Sequence, residues 1–295
     1  MSVFIKQSIT NQSTFKADAG WVILSPIEAA IKKKIESVGL PLKDWDIKIY
    51  RGILTGYNDA FIIDQKTKDE LISKSGSTDL SGIIRPIIRG RAIEKYYNKL
   101  DNSHLIFTRR GIDIDEYIPI KEYLVNFYLD LVPKKNNEIR GRKPGTYKWF
   151  EIQDNIAYWR EFEKPKIVWK RVGSVIRFSY DETGMYCLDS TCFATGNDLK
   201  FIVGYLNSTI SKMELLRNSP QTGTGDVITS VQALEPHLIP KATIEQKDSI
   251  AMLVEQCINL LKSDELSNIS IYEKQIDDIV FDIFGLTLEE REIVG

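Results

Sequence analysis

The chain carries two histidines, three cysteines and no apolar run near the ~20 residues that cross a bilayer. His104 and His237 lie far apart, and neither a CxxC nor an HxxxH pair occurs, so nothing has the spacing of a structural zinc site. An odd set of cysteines (Cys187, Cys192, Cys257) builds no disulfide framework and points to a reducing cytoplasm. No signal-peptide pattern opens the chain, and no membrane is expected as a partner. Catalytic signatures are missing too. There is no GxxxxGK[ST] phosphate loop and no GxSxG elbow, and "GTGD" at 223–226 follows no strand. No Pro-Asp dipeptide marks a PD-type nuclease centre, and no Asn-Pro-Pro-aromatic segment marks an adenine-amino methyltransferase pocket. The Asp181/Glu182 pair falls in an expected turn. With no recognisable nucleophile–base set, neither a catalytic residue nor a metal or cofactor site is expected on this chain.

What is present is an ordinary globular composition with an uneven charge. With 295 residues, 43% of them hydrophobic, the chain is long enough for a sizeable core in one large domain or two smaller ones. The formal net charge is only −2. Yet residues 134–177 hold twelve basic side chains against five acidic ones, a net +7, and residues 263–295 hold nine acidic against two basic, a net −7. One face could suit a polyanion; two solvated faces would give the same count.

The pattern predicts a mixed α+β (α/β) fold: a loose arm at 1–17, a body of strands and helices over 18–240, and a helical, acidic segment over 241–295. A short strand is expected at 21–24. "SPIEAAIKKKIESVG" reads as a helix opened by a Ser25/Glu28 capping box with Pro26 in its first turn. Residues 46–54 and 60–64 read as strands around a Thr-Gly-Tyr-Asn turn. Further strands are expected at 104–108, 166–171, 175–180 and 185–188, the last two joined by Asp-Glu-Thr-Gly. Helices are expected at 119–132, 197–217, 243–262 and 268–284, and exposed loops at 133–148 and 218–226.

Basic residues recur where the chain looks loop-like. In "IIRPIIRGRAIEKYY" (83–97), Arg89 and Arg91 flank Gly90, with Lys95 close behind. An arginine fork matches both guanine edges and phosphate oxygens, and a glycine between two forks lets backbone approach a ligand. Arg85, set between Ile84 and Pro86, is expected to pair inside the fold instead. In "RGRKPGTYKWFEIQD" (140–154), Arg142, Lys143 and Lys148 alternate with Tyr147 and Trp149, a pattern that suits a nucleic-acid backbone and exposed bases. Core roles for Trp149 and Phe150 fit the same letters. Lys166, Lys170 and Arg171 bracket "IVW", where alternation could bring several cations to one sheet face.

These stretches also carry a resemblance. "PLKDWDIKIYRGILTGYNDAFIID", "IIRPIIRGRAIEKY", "YKWFEIQD" and "FEKPKIVWKR", followed by "GYLNS" and "LIPK", closely resemble the C-terminal specificity domain of TaqI-like and type IIG restriction–modification enzymes, over about Trp21 to Val294. Such a domain is a target recognition domain. The resemblance implies double-stranded DNA as partner, read mainly in the major groove. It also implies a methyltransferase domain using S-adenosylmethionine and a Mg-dependent nuclease domain elsewhere in the same system. Gly52, Thr55, Gly56, Asn58 and Phe61 match the first family motif. Arg85, Pro86, Arg89, Gly90 and Arg91 match the second, and Trp149, Glu151, Pro165 and Lys166 the third and fourth. Arg51 with the tip residues Thr55, Tyr57 and Asn58 is expected near DNA or near the methyltransferase interface. "NSPQTGTGDVITS" (218–230) departs from the basic, aromatic wording of the family. Two readings from other classes stay open: a small nuclease with an unrecognised site, and a module binding an acidic protein.

Overall fold

The computed structural model describes residues 24–135 and 139–295. The expected arm (1–17), nearly all of the expected 21–24 strand and Glu138 of the basic stretch lie outside them.

Helix starts are set by side chains that take up amides with no partner inside the helix. Ser25 Oγ accepts from the Glu28 amide at 3.3 Å while the Glu28 carboxylate accepts from the Ser25 amide at 2.8 Å, which opens Pro26–Val38 as the spacing predicts. Thr243 and Gln246 do the same for Ile244–Ser263, and Gly285 closes Ser270–Phe284. A further helix, Leu288–Val294, goes beyond the sequence expectation. Two expected helices are split. The 119–132 stretch forms Ile118–Val125 and Tyr128–Leu131, and 197–217 forms Leu199–Leu206 and Thr209–Asn218, the latter capped by Ser208.

Two four-stranded sheets organise the described residues. The first runs in the order Ile47–Arg51, Thr191–Gly196, Lys166–Lys170, Phe178–Asp181, antiparallel throughout. Alternation sorts its side chains onto two faces. Ile49, Ala194 and Ile167 share one register row with Tyr180, and Cys192 and Trp169 share the next with Phe178; this face packs into a core with the helices 26–38, 199–206, 244–263 and 270–284. Tyr50, Phe193 and Val168 point the other way, into a second core. That core is closed by the second sheet, Ile62–Ile63, His104–Ile106, Ile84–Ile88 and Tyr186–Cys187, of which only the last pairing is parallel. The helices after residue 240 put Ile250, Val254, Phe281 and Phe284 into the same core as Ile31 and Trp169.

Two expected hairpins do not form. The strands on either side of Thr-Gly-Tyr-Asn enter different sheets, so this stretch is a crossover between sheets. Likewise Phe178–Asp181 pairs with Lys166–Lys170, whereas Tyr186–Cys187 pairs with Ile84–Ile88. The central strand of the first sheet, Thr191–Gly196, has no counterpart in the sequence reading. It is buried on both faces, and a strand of that kind lacks the polar–apolar alternation that would mark it.

Lys166 lies wholly inside this sheet. Its ammonium donates to Asp181 and to the Phe162 carbonyl (2.8 Å), and its side chain is 0% exposed. The expected DNA contact at Lys166 is therefore corrected: the cation is an internal partner of Asp181. Breaking one side of such a pair strands the other charge in the core. Asp181→Asn or Lys166→Met is expected to cost about 3–5 kcal/mol, and the double variant Lys166→Met/Asp181→Leu to recover much of it, as read from urea midpoints.

The helix Leu199–Leu206 meets Ile244–Ser263 at Gly204, where an added methyl carbon would stand 2.4 Å from Ile250 Cγ2. Gly204→Ala is expected to force these helices apart at a cost of about 1–3 kcal/mol, measurable as a lowered unfolding midpoint.

Candidate nucleic-acid interface

Chain segments from both sheets meet at one end of the fold. Strand Ile47–Arg51 exits there, Lys166–Lys170 ends there, and Thr191 begins the central strand there. Ile88 pairs with Cys187, so the Arg89–Gly90–Arg91 turn emerges beside Leu188. Backbone bonds stitch the segments together: Gly52 N to Thr191 O (3.0 Å), Ile53 N to Cys187 O (2.8 Å), Asp189 N to Ile53 O (3.0 Å) and Arg171 N to Ser190 O (3.0 Å). The 218–230 loop is anchored at the same end. Val227–Ile228 pairs with 172–173, and Thr229 donates to the carbonyls of Lys170 and Arg171. Arg51, Arg89, Arg91, Lys170 and Arg171 are thereby gathered on one rim from parts of the chain up to 120 residues apart.

The rim cations are held in different ways. Arg51 bonds Asp154 at 2.7 Å, and Tyr158 donates to the Arg51 carbonyl. Arg91 grips Asp101 with two donors, at 2.8 and 3.3 Å, and Arg89 Nε stands 3.5 Å from the same carboxylate. Arg91 nevertheless remains 70% exposed while Asp101 is 8% exposed. Burial pushes the Asp101 carboxyl up, but the bonds from Arg91 and Ser103 and the charges of both arginines outweigh it and hold the group below its ordinary value. Lys170 and Arg171 form no ion pair among the described residues.

The 139–149 loop departs from expectation at its most basic point. Arg142 is 2% exposed and spends all five donors on backbone carbonyls: Leu131 (2.7 Å), Thr55 (2.9 Å), Glu151 (2.8 Å), Trp149 (2.9 Å) and Lys148 (3.4 Å). Burial lowers its pKa to about 10, which leaves it cationic at neutral pH. It is a structural rivet and has no donor left for DNA. Tyr147 is buried against it, its ring 4.3 Å from the guanidinium carbon and its hydroxyl donating to the Lys143 carbonyl. Lys143 and Lys148 stay on the surface.

The Thr-Gly-Tyr-Asn tip is buried at Thr55 and opens to solvent at Asn58. Thr55, 1% exposed, donates to Asn58 Oδ1 (2.7 Å) and accepts from the Tyr57 amide, so its expected contact role is corrected to that of a turn brace. Gly56 sits at φ +84°, where only glycine is unstrained, pressed against Arg142 and Gln153. Tyr57 leans on Phe127 (6.3 Å between rings), and Asn58 is exposed at the first turn of a short helix without a positive φ. Lys95 bonds Glu273 of the C-terminal helices at 2.7 Å and stays partly exposed. Arg85 pairs with Glu163 at 3.1 Å, the internal role expected of it.

Sequence reasoning missed the carboxylates that orient this region. Asp101 and Asp154 lie 10 and 103 residues from the arginines they hold, and no local pattern marks them. It missed Arg110 too, which binds the Gln153 carbonyl at 2.6 Å and stands over the Tyr147 ring.

A profile of the TaqI-like C-terminal specificity domain matches residues 85–234, half of the chain. The chain belongs to this specificity-domain family. The matched stretch includes the Arg89–Gly90–Arg91 turn, Lys170 and Arg171; the Gly52–Phe61 motif lies before it. The type II methyltransferase M.MjaIV of Methanocaldococcus jannaschii is 23% identical over 244 residues, covering 79% of this chain and 77% of the relative. Among solved structures, the type IIL restriction–modification enzyme MmeI in complex with DNA superposes with a TM-score of 0.59 at 12% identity, over 86% of this chain and 35% of that one. The type IIG restriction endonuclease BpuSI gives 0.48 at 14% identity, over 90% and 33%. This chain spans about a third of the length of these two enzymes.

Lysine cannot reproduce the Arg142 fork, because three donors on a point charge leave buried carbonyls unbonded. Arg142→Lys is expected to lower stability by about 2–4 kcal/mol. Its effect on DNA binding should vanish once the folded fraction is corrected for, and circular dichroism melts run beside binding titrations check both.

Proposed function

We propose that this chain is a sequence-specific double-stranded DNA recognition domain of a type II (IIG) restriction–modification enzyme. In this reading it holds the duplex for an adenine-specific methyltransferase and a nuclease located elsewhere in the system. S-adenosylmethionine and Mg²⁺ serve those other parts. Among the described residues no group of three or more His, Cys, Asp or Glu could hold a metal ion.

The observation that carries the reading is the convergence of Arg51, Arg89, Arg91, Lys170 and Arg171 on one rim, from separate segments of a domain whose family is a specificity domain. Cations collected this way release counterions from duplex DNA when they meet phosphates, so binding weakens steeply with salt. The carboxylates at the rim do not cancel this. Arg91 gives Asp101 one edge of its guanidinium and keeps its second Nη free for an outside acceptor.

With about four phosphate contacts, a fourfold rise in salt is expected to weaken duplex binding roughly 10²-fold. Titrating the chain with labelled duplex at two ionic strengths measures this. The absence of any salt-sensitive binding even at low ionic strength would refute the reading.

A further inference from the structure

The Arg89–Gly90–Arg91 turn and Lys170 form a unit with its own geometry. Asp101 lies between the two arginines, takes two hydrogen bonds from Arg91 and stands 3.5 Å from Arg89 Nε without a hydrogen bond to it, while the Lys170 stem lies across Gly90, 3.2–3.8 Å from where a side-chain carbon would be. Arg89 and Arg91 lie beside this carboxylate and Lys170 beside Gly90, three cations to one acid within the unit. Among the described residues Lys170 pairs with no carboxylate, and the second Nη of Arg91 takes no part in the bonds to Asp101.

The turn does not project. Gly90 and Ala92 are buried, and Ala92 N bonds Arg89 O at 2.8 Å in a single tight 3₁₀ turn seated on the second core. A residue that reads base edges must be carried into a groove about 8.5 Å deep by an element that stands out from the body. Cations lying flush with the surface reach the strand backbone instead. A lysine ammonium has no edge pattern to match to a base, whereas it suits a phosphate as a point charge.

Resting on the DNA-binding reading above, we propose that Arg89, Arg91 and Lys170, aligned by Asp101, form a clamp for the phosphodiester backbone and take no part in reading sequence. The clamp fixes the position of the duplex, and base discrimination comes from other residues. Asp101 acts as a positioning residue that holds the Arg91 guanidinium beside Arg89.

The test is a salt series of duplex binding by the 295-residue chain, with selection from a random duplex library. Arg91→Ala and Lys170→Gln, which keeps the stem against Gly90, should each reduce the slope of log K against log salt by about one. Both should weaken all duplexes alike and leave the selected sequence unchanged. Arg91→Lys should retain the slope, and thermal melts confirm that each variant is folded. A changed base preference at one position would make Arg91 a base reader and overturn the clamp, as would unaltered slopes in both charge-removing variants. If the parent chain shows no salt-sensitive binding at all, the functional reading fails and the clamp with it. If the parent binds normally, only the clamp is at stake.

Discussion

The first sheet is covered on both faces, and that constraint decides where the charges of this domain can go. One face carries Trp169, Cys192 and Ala194 into the helical core, and the other carries Val168 and Phe193 into the second core. Side chains along the two inner strands are buried up to Lys170 and Gly196, and only the edge strand Ile47–Arg51 exposes a residue within its length, Lys48. The other cations on the strands must lie at the ends of the sheet or find an internal partner. Arg51, Lys170 and Arg171 take the first course and Lys166 the second. The rim is thus a consequence of how the sheet is buried: strands from both layers end together, and each delivers its terminal cation to the same place.

Ion pairs at this rim align more than they neutralise. Asp101 is nearly buried, so its two arginines come to it and their outer atoms stay in solvent. Asp154 acts similarly on Arg51 and also accepts the Leu54 amide, which ties the crossover between the sheets to the same carboxylate. Exposed pairs of this kind add little to stability. Their effect is on the entropy of long side chains, which are already ordered before any ligand arrives.

How much of this could be read from the letters differs by element. Helix ends were legible because a capping box is a local pattern; Ser25 with Glu28 needs only three residues of spacing. Strand partners were not, because pairing is a long-range choice: Ile47–Arg51 joins residues 140 positions away and ignores its neighbour in sequence. The basic segment misled for a physical reason as well. "RGRKPGTYK" looks like a contact loop, but a guanidinium is equally suited to a ring of carbonyls, and carbonyls leave no trace in a sequence. Arg142 and Lys166 are buried, Arg140 pairs with Asp130 and Arg177 with Glu94, both acids outside the stretch, so the formal +7 of this stretch overstates the charge it offers to a partner. The rim residues Arg89, Arg91, Lys170 and Arg171 were legible as cations, but their meeting required the fold.

The opposite charge run has a complementary consequence. The C-terminal helices bring Glu273 to Lys95 and Glu290 to Lys34, the turn between two of them brings Glu265 to Lys99, and these pairs fasten the segment to the body around a shared apolar core. Asp264, Asp278, Glu289 and Glu292 form no ion pairs among the described residues and leave that side negative. A polyanion approaching this domain meets repulsion over the terminal helices and attraction at the rim, a polarity that orients the encounter before any contact forms. Because the helices that carry the negative side are locked into the core beneath the first sheet, the polarity is fixed to the same frame that holds the rim.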